Sequence, residues 1–195
     1  MSKAKRAPAR ALGRYVALIR GINVGRAKRI AMADLRALVE DLGYADVRTL
    51  LNSGNVVFSS TPKAAADAGA RIERAMTSRL HVSARVIVLS ASELAEAIAA
   101  NPLLSIAKDP TRLLVTVFTG PSHRTRLDSS TRENWDPDTL AIGARVAYLW
   151  CPDGMLDSRL AVAVGRALGD AATSRNWATM TKLHALATDS DPSLG

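Results

Sequence analysis

Residues 15–60 read YVALIRGINVGRAKRIAMADLRALVEDLGYADVRTLLNSGNVVFSS, and the order of elements in this stretch decides the fold. YVALIR (15–20) is a short β-rich run whose composition suits burial on both faces. A loop with Gly21 and Gly25 follows. Met32, Leu35, Leu38, Val39 and Leu42 then fall at helical spacing, and Gly43 suits the position just past a helix end. The spacing predicts a strand over 46–51, turn chemistry at Asn52-Ser53-Gly54-Asn55 and a strand over 56–60, so 46–60 is a hairpin.

Outward from this stretch the order continues. Thr61-Pro62 is an N-cap followed by a first-turn proline, and Ile72, Ala75, Met76 and Leu80 mark one helical face. ARVIVL (84–89) is a fourth strand, and Ser90 or Ser92 caps a short helix to Ala100. Residues 15–89 therefore read β-α-β-β-α-β, the ferredoxin-like split order. The second half echoes it: a strand over 113–118, a polar stretch over 121–134, a hairpin around Gly143, a helix over 155–168 and a helix over 176–187 where a fourth strand is expected. The fold class expected is α+β, built of two weakly repeated β-α-β-β-α(-β) ferredoxin-like units with a C-terminal helix. Residues 1–14 form a flexible basic tail in this reading. The first unit then covers 15–100, a Pro102- and Pro110-punctuated connection 101–112, and the second unit 113–190.

Composition narrows the function classes. The chain has 195 residues and 48% apolar content, which supports a packed core. No apolar run reaches the ~20 residues of a membrane span. The tail lacks a secretory apolar stretch, so the protein is expected in the cytoplasm and off the membrane. A single cysteine, Cys151, excludes an internal disulfide framework and a cysteine-clustered zinc site. The net charge of +8 sits at one end: nine basic and no acidic residues fall in 1–30, leaving 17 basic against 18 acidic beyond. The phosphate-loop, dinucleotide and nucleophile-elbow motifs are absent, and His81, His123 and His184 lack metal-ligand spacing. No cofactor or metal is expected, and no catalytic residue or reaction is assigned.

Three polar clusters sit at ends of apolar elements. The first is Arg20-Gly-Ile-Asn23-Val-Gly25 with Lys28, after the first strand. Glycines, an asparagine and cations at a strand's carboxyl end suit an anion; a tight strand-to-helix connection needs the same glycines. Asn52, Ser53 and Asn55 form the second, which also reads as an ordinary hairpin turn. Ser174-Arg175-Asn176-Trp177 with Thr181 and Lys182 is the third, with Ser174 as a candidate cap for the last helix. Trp177 reads as a core anchor, whereas Arg175 just ahead of an apolar stripe must find polar partners.

The runs Tyr15–Gly25, Met32-Ala-Asp-Leu-Arg36, Val47-Arg-Thr49 and Ser53-Gly-Asn-Val-Val-Phe58 together resemble the bacterial domain of unknown function 1697 family. Ser174-Arg-Asn-Trp-Ala-Thr179 with Lys182-Leu183 is similar to that family's closing Thr-x-Arg-Asn-Trp-Asn-Thr block. Arg26 stands where a second glycine is usual, and Ala178 where asparagine is usual. The resemblance spans about residues 15–187 and implies a two-part α+β fold with no assigned activity.

The expected function is binding of a small phosphate- or carboxylate-bearing ligand. Its candidate residues are Arg20, Asn23, Lys28, Asn52, Ser53, Asn55, Arg175, Asn176, Trp177 and Thr181, with arginine forks for oxyanions and amides for both kinds of hydrogen bond. The alternatives are weak nucleic-acid binding by the basic N-terminal end and a partner-binding role through a sheet edge or the stripe Leu156, Leu160, Val164, Leu168. Oligomeric state is not legible in the sequence.

Overall fold

Strand β1 (Gly13–Ile19) organises the first half because both of its faces are apolar. Val16 and Leu18 point one way and Ala17 and Ile19 the other, each wholly buried. The computed structural model describes residues 12–23 and 29–189. After β1 come α1 (Met32–Asp41), β2 (Ala45–Leu50), β3 (Asn55–Ser60), the single turn α2 (Pro62–Ala65), α3 (Ala68–Leu80), β4 (Val86–Ser90) and α4 (Ala91–Ala99). Second-half elements are β5 (Leu113–Phe118), 3₁₀ turns at Pro121–Leu127 and Ser130–Arg132, β6 (Thr139–Ile142), β7 (Val146–Trp150), α5 (Arg159–Leu168), β8 (Ala172–Asn176) and α6 (Trp177–Thr188).

The strands make two antiparallel sheets, ordered β2-β3-β1-β4 and β6-β7-β5-β8. The α+β class stands. Five layers result. Helices α1 and α3 cover the outer face of the first sheet through Leu35, Leu38, Ile72 and Met76, against Ile19, Val56 and Phe58. On the far side α5 covers the second sheet through Leu160, Val164 and Leu168. Between the sheets lies one core drawn from both halves: Val16, Leu18, Val57 and Leu89 from one, Val115, Val117 and Tyr148 from the other, with Leu94 of α4 and Met180 and Leu183 of α6. Burial of a large aliphatic side chain contributes about 1.5–3 kcal/mol, so this shared layer welds the halves together.

Two expectations need correction. A fourth strand of the second half exists as β8, where only a helix is read from the sequence. ATSRN carries no apolar alternation; it is a strand because its backbone pairs with β5, in the register Val115 to Arg175 and Phe118 to Ala172. The last helix is accordingly capped by Asn176, whose Oδ1 accepts from the Thr179 N–H at 2.9 Å, and not by Ser174, which lies in β8 and shares a 2.8 Å hydroxyl contact with Thr116. The same construction ends the first half: Ser90 closes β4 and caps α4 in a capping box with Glu93. The second correction concerns α5, which starts at Arg159 behind its cap Ser158. Leu156 therefore precedes the helix and is 94% exposed, outside the stripe expected for it.

Candidate functional site

The carboxyl end of β1, the 52–55 turn and the Arg175 segment meet, although Arg175 lies 120 residues from Asn55 and 156 from Ile19 in sequence. Arg175 makes the junction. Its Nε donates to Asn55 Oδ1 at 2.5 Å and its Nη1 to Thr173 Oγ1 (3.0 Å) and the Ser174 carbonyl (2.8 Å). Nη2 donates to the carbonyls of Ile19 (2.8 Å) and Ser53 (3.0 Å), with Gly54 sharing at 3.3 Å. A guanidinium has five N–H donors, so these acceptors engage the whole group. None is a carboxylate. Desolvation pulls the Arg175 pKa down to about 10, which leaves it charged at neutral pH.

The neighbouring amides are equally engaged. Asn55, fully buried, donates to the Leu50 carbonyl at 3.0 Å and to Ser53 Oγ at 2.9 Å. Asn23, in the left-handed region at φ 56°, ties the end of β1 to Ile30 and Asn52. Its Oδ1 accepts from the Ile30 N–H at 2.8 Å while Nδ2 donates to the carbonyls of Ile30 and Asn52. Asn23 and Asn52 line an open cleft of about 500 Å³ with residues 29–32 at the start of α1. Thr181 donates within its own helix, to the carbonyls of Trp177 and Ala178. Trp177 is half-buried and packs against the core between the sheets. Lys28 lies outside the described residues, as does the basic N-terminal segment up to residue 11.

Arg20 differs. Its Nη1 donates to the carbonyls of Gly169 and Ala172 and stands 3.7 Å from the Asp170 carboxylate, but the side chain remains over a third exposed. That exposed part faces a cleft of about 540 Å³ between the halves. Arg74 and Arg85 line the same cleft with Glu73 and the hydroxyls of Thr77, Ser78 and Ser83. Glu73 is held by the Val86 N–H (2.8 Å) and by Arg85 (3.3 Å), whereas exposed Arg74 has no protein partner among the described residues. Sequence reading missed Arg74, Arg85, Glu73 and Asp170. They belong to no motif, and only the packing of α3 beside β4 and the 169–171 turn makes them neighbours.

A third arginine crosses the seam. Arg145, before β7, pairs with Glu93 and donates to the carbonyls of Phe118 (3.0 Å) and Val88 (3.5 Å). Burial alone pushes the Glu93 pKa up, yet the Ser90 N–H and Arg145 outweigh it and hold the carboxyl below its usual value of 4.5. A depressed folded pKa contributes stability above the unfolded value, lost as pH falls through the folded one. The stability difference between wild type and Glu93→Gln, measured by urea denaturation, is therefore expected to be constant near neutrality and to close below about pH 4.5. A pH-independent difference contradicts this.

Among the described residues, no His, Cys, Asp and Glu side chains gather as a metal set. Cys151 is buried; desolvation raises its thiol pKa despite the contact with Ser158. Both faces of the first sheet are covered by helices, and Phe58 is enclosed against Tyr15 and Tyr44. Among the described residues the first sheet is thus left with no open aromatic face for stacking bases. No helix of the described residues is long and apolar enough to cross a membrane.

The profile of a family described as "Protein of unknown function (DUF1697)" matches residues 12–148. The Arg175-Asn176-Trp177 block lies beyond that match. No curated protein matches the chain. Among solved structures, the conserved bacterial protein SP0830 from Streptococcus pneumoniae is similar, with a TM-score of 0.71 and 22% identity over 91% of this chain and 100% of that one. At that identity the likeness shows the fold alone.

Proposed function

Because the chain belongs to a family of proteins of unknown function, DUF1697, its activity has to be read from geometry, and we propose that it binds a small phosphate- or carboxylate-bearing ligand at the carboxyl end of β1. One observation carries this. Three guanidinium groups, those of Arg20, Arg74 and Arg85, line a single cleft there, and Arg74 has no partner among the described residues. Ligand sites are concave surfaces with a few convergent polar groups, and arginine forks match oxyanions in shape and charge. The Arg-Asn-Trp segment contributes by position: Arg175 fixes Ile19 and the 53–55 turn, and so the point at which Arg20 leaves the sheet.

The test is a thermal-shift and calorimetric screen of the full chain against inorganic phosphate, phosphate esters and small carboxylates. Ligand at a hundredfold its dissociation constant is expected to add about 2.7 kcal/mol to the folding stability. Arg74→Ala, which removes no hydrogen bond or ion pair among the described residues, is expected to keep the fold and lose the response. A screen without any shift, or a shift unchanged by Arg74→Ala, overturns the assignment.

A further inference from the structure

We infer that the ligand of the Arg20–Arg74–Arg85 cleft is a phosphorylated sugar or polyol, an inference that rests on the anion reading above and narrows it. The lining decides the class. Beside the three arginines stand two carboxylates, Glu73 and Asp170, with three hydroxyls, and the remaining lining residues are Gly21 and Ala84. Among the described residues the lining has no aromatic ring and no large aliphatic side chain. A nucleotide base needs such a surface to stack on. The two carboxylates oppose a ligand of high negative charge, such as a tricarboxylate or a triphosphate.

The same groups suit a ligand with one anionic end and several hydroxyls. A carboxylate has about four lone-pair sites and donates nothing. Glu73 uses two of them, on the Val86 N–H and Arg85, and is thereby held in place to accept from sugar hydroxyls. Thr77 and Ser78 donate their own protons to the carbonyls of Glu73 and Ala75, so each oxygen presents its lone pairs outward. Ser83 has no partner among the described residues and can donate or accept. Asp170, its side chain 77% exposed and 3.7 Å from Arg20, comes from the second half while the other groups come from the first. The ligand therefore lies across the seam, its phosphate on Arg74 and Arg20 and its hydroxyls on Glu73, Ser83 and Asp170. The volume, about 540 Å³, accommodates a pentose or hexose phosphate.

Isothermal titration of the full chain with inorganic phosphate, ribose 5-phosphate, glucose 6-phosphate, the two free sugars and adenosine monophosphate tests this. A sugar phosphate is expected to bind at least ~10-fold more tightly than inorganic phosphate, free sugar or nucleotide, since each added hydrogen bond to a held acceptor favours it. Ser83→Ala is expected to weaken the sugar phosphate several-fold and leave inorganic phosphate unchanged, whereas Arg74→Ala weakens both. Phosphate binding that depends on Arg74 but shows no sugar preference, or tighter binding of the nucleotide, overturns this inference and leaves the anion reading standing. Absence of binding by every phosphate compound overturns this inference and leaves the anion reading to the carboxylates of the screen above, whereas binding indifferent to Arg74→Ala overturns both.

Discussion

Arg175→Ala is expected to lower the unfolding free energy by about 3–5 kcal/mol, a fall of roughly 10 °C in Tm for a chain of this size. The loss exceeds that of an ordinary surface arginine because two buried partners, Asn55 Oδ1 and the Ile19 carbonyl, cannot re-solvate. Asn55 is wholly buried, and its Oδ1 has the Arg175 Nε as its donor; the carbonyls of Ile19, Ser53 and Gly54 lose the Nη2 group together. Arg175→Lys keeps the charge but replaces the planar fork with one ammonium, and is expected to recover only a minor part. Urea denaturation of the three proteins checks this. An Arg175→Ala protein as stable as wild type removes the lock, and with it the account of how the two halves register at the cleft.

Gly54→Ala is expected to cost about 2–4 kcal/mol, from backbone strain and overpacking together. Gly54 has φ 74°, and an added Cβ would meet Ile22 Cδ1 at 2.8 Å and the Cβ of Ile19 at 2.9 Å. The Ile19 Cβ is fixed to a central strand and cannot swing aside. Gly54 also accepts the Ile19 N–H at 2.8 Å, so displacing the turn disturbs the bonds of Arg175 as well. Gly43→Ala is the control: φ is 87° but nothing lies within 4 Å of the added Cβ, which leaves strain alone. Equal destabilisation at the two positions contradicts the close approach. Because Gly54 and Arg175 act on one turn, the double variant is expected to lose less than the two losses added.

Legibility in the sequence followed the range of the interaction. Turn chemistry is local, so Asn52 to Asn55 is readable as a hairpin turn, but that Asn55 is buried beneath an arginine 120 residues away is not. Arg20 stood out as a cation at a strand end, while Arg74 and Ser83, which give the cleft its spare donors, sit on a helix surface and in a loop and look like any solvated residue. The C-terminal Arg-Asn-Trp block was visible as a motif. Its division of labour was not: Arg175 clamps, Asn176 caps and Trp177 packs.

By itself the chain determined the elements that depend on neighbours within a few residues. These include the doubly apolar β1, the β2–β3 hairpin, the Thr61-Pro62 and Ser90 helix starts, and the apolar faces of α1 and α3. Side-chain periodicity and capping are local physics, so they are written locally. Tertiary structure alone decided that ATSRN is a strand, that α4 and α6 lie against each other between two sheets, and that Arg20, Arg145 and Arg175 cross one seam. An edge strand of polar residues exists through the backbone of its neighbour, and a guanidinium's partners are carbonyls that every residue carries. Neither leaves a mark in residue type, so each becomes visible only once the chain has folded back on itself.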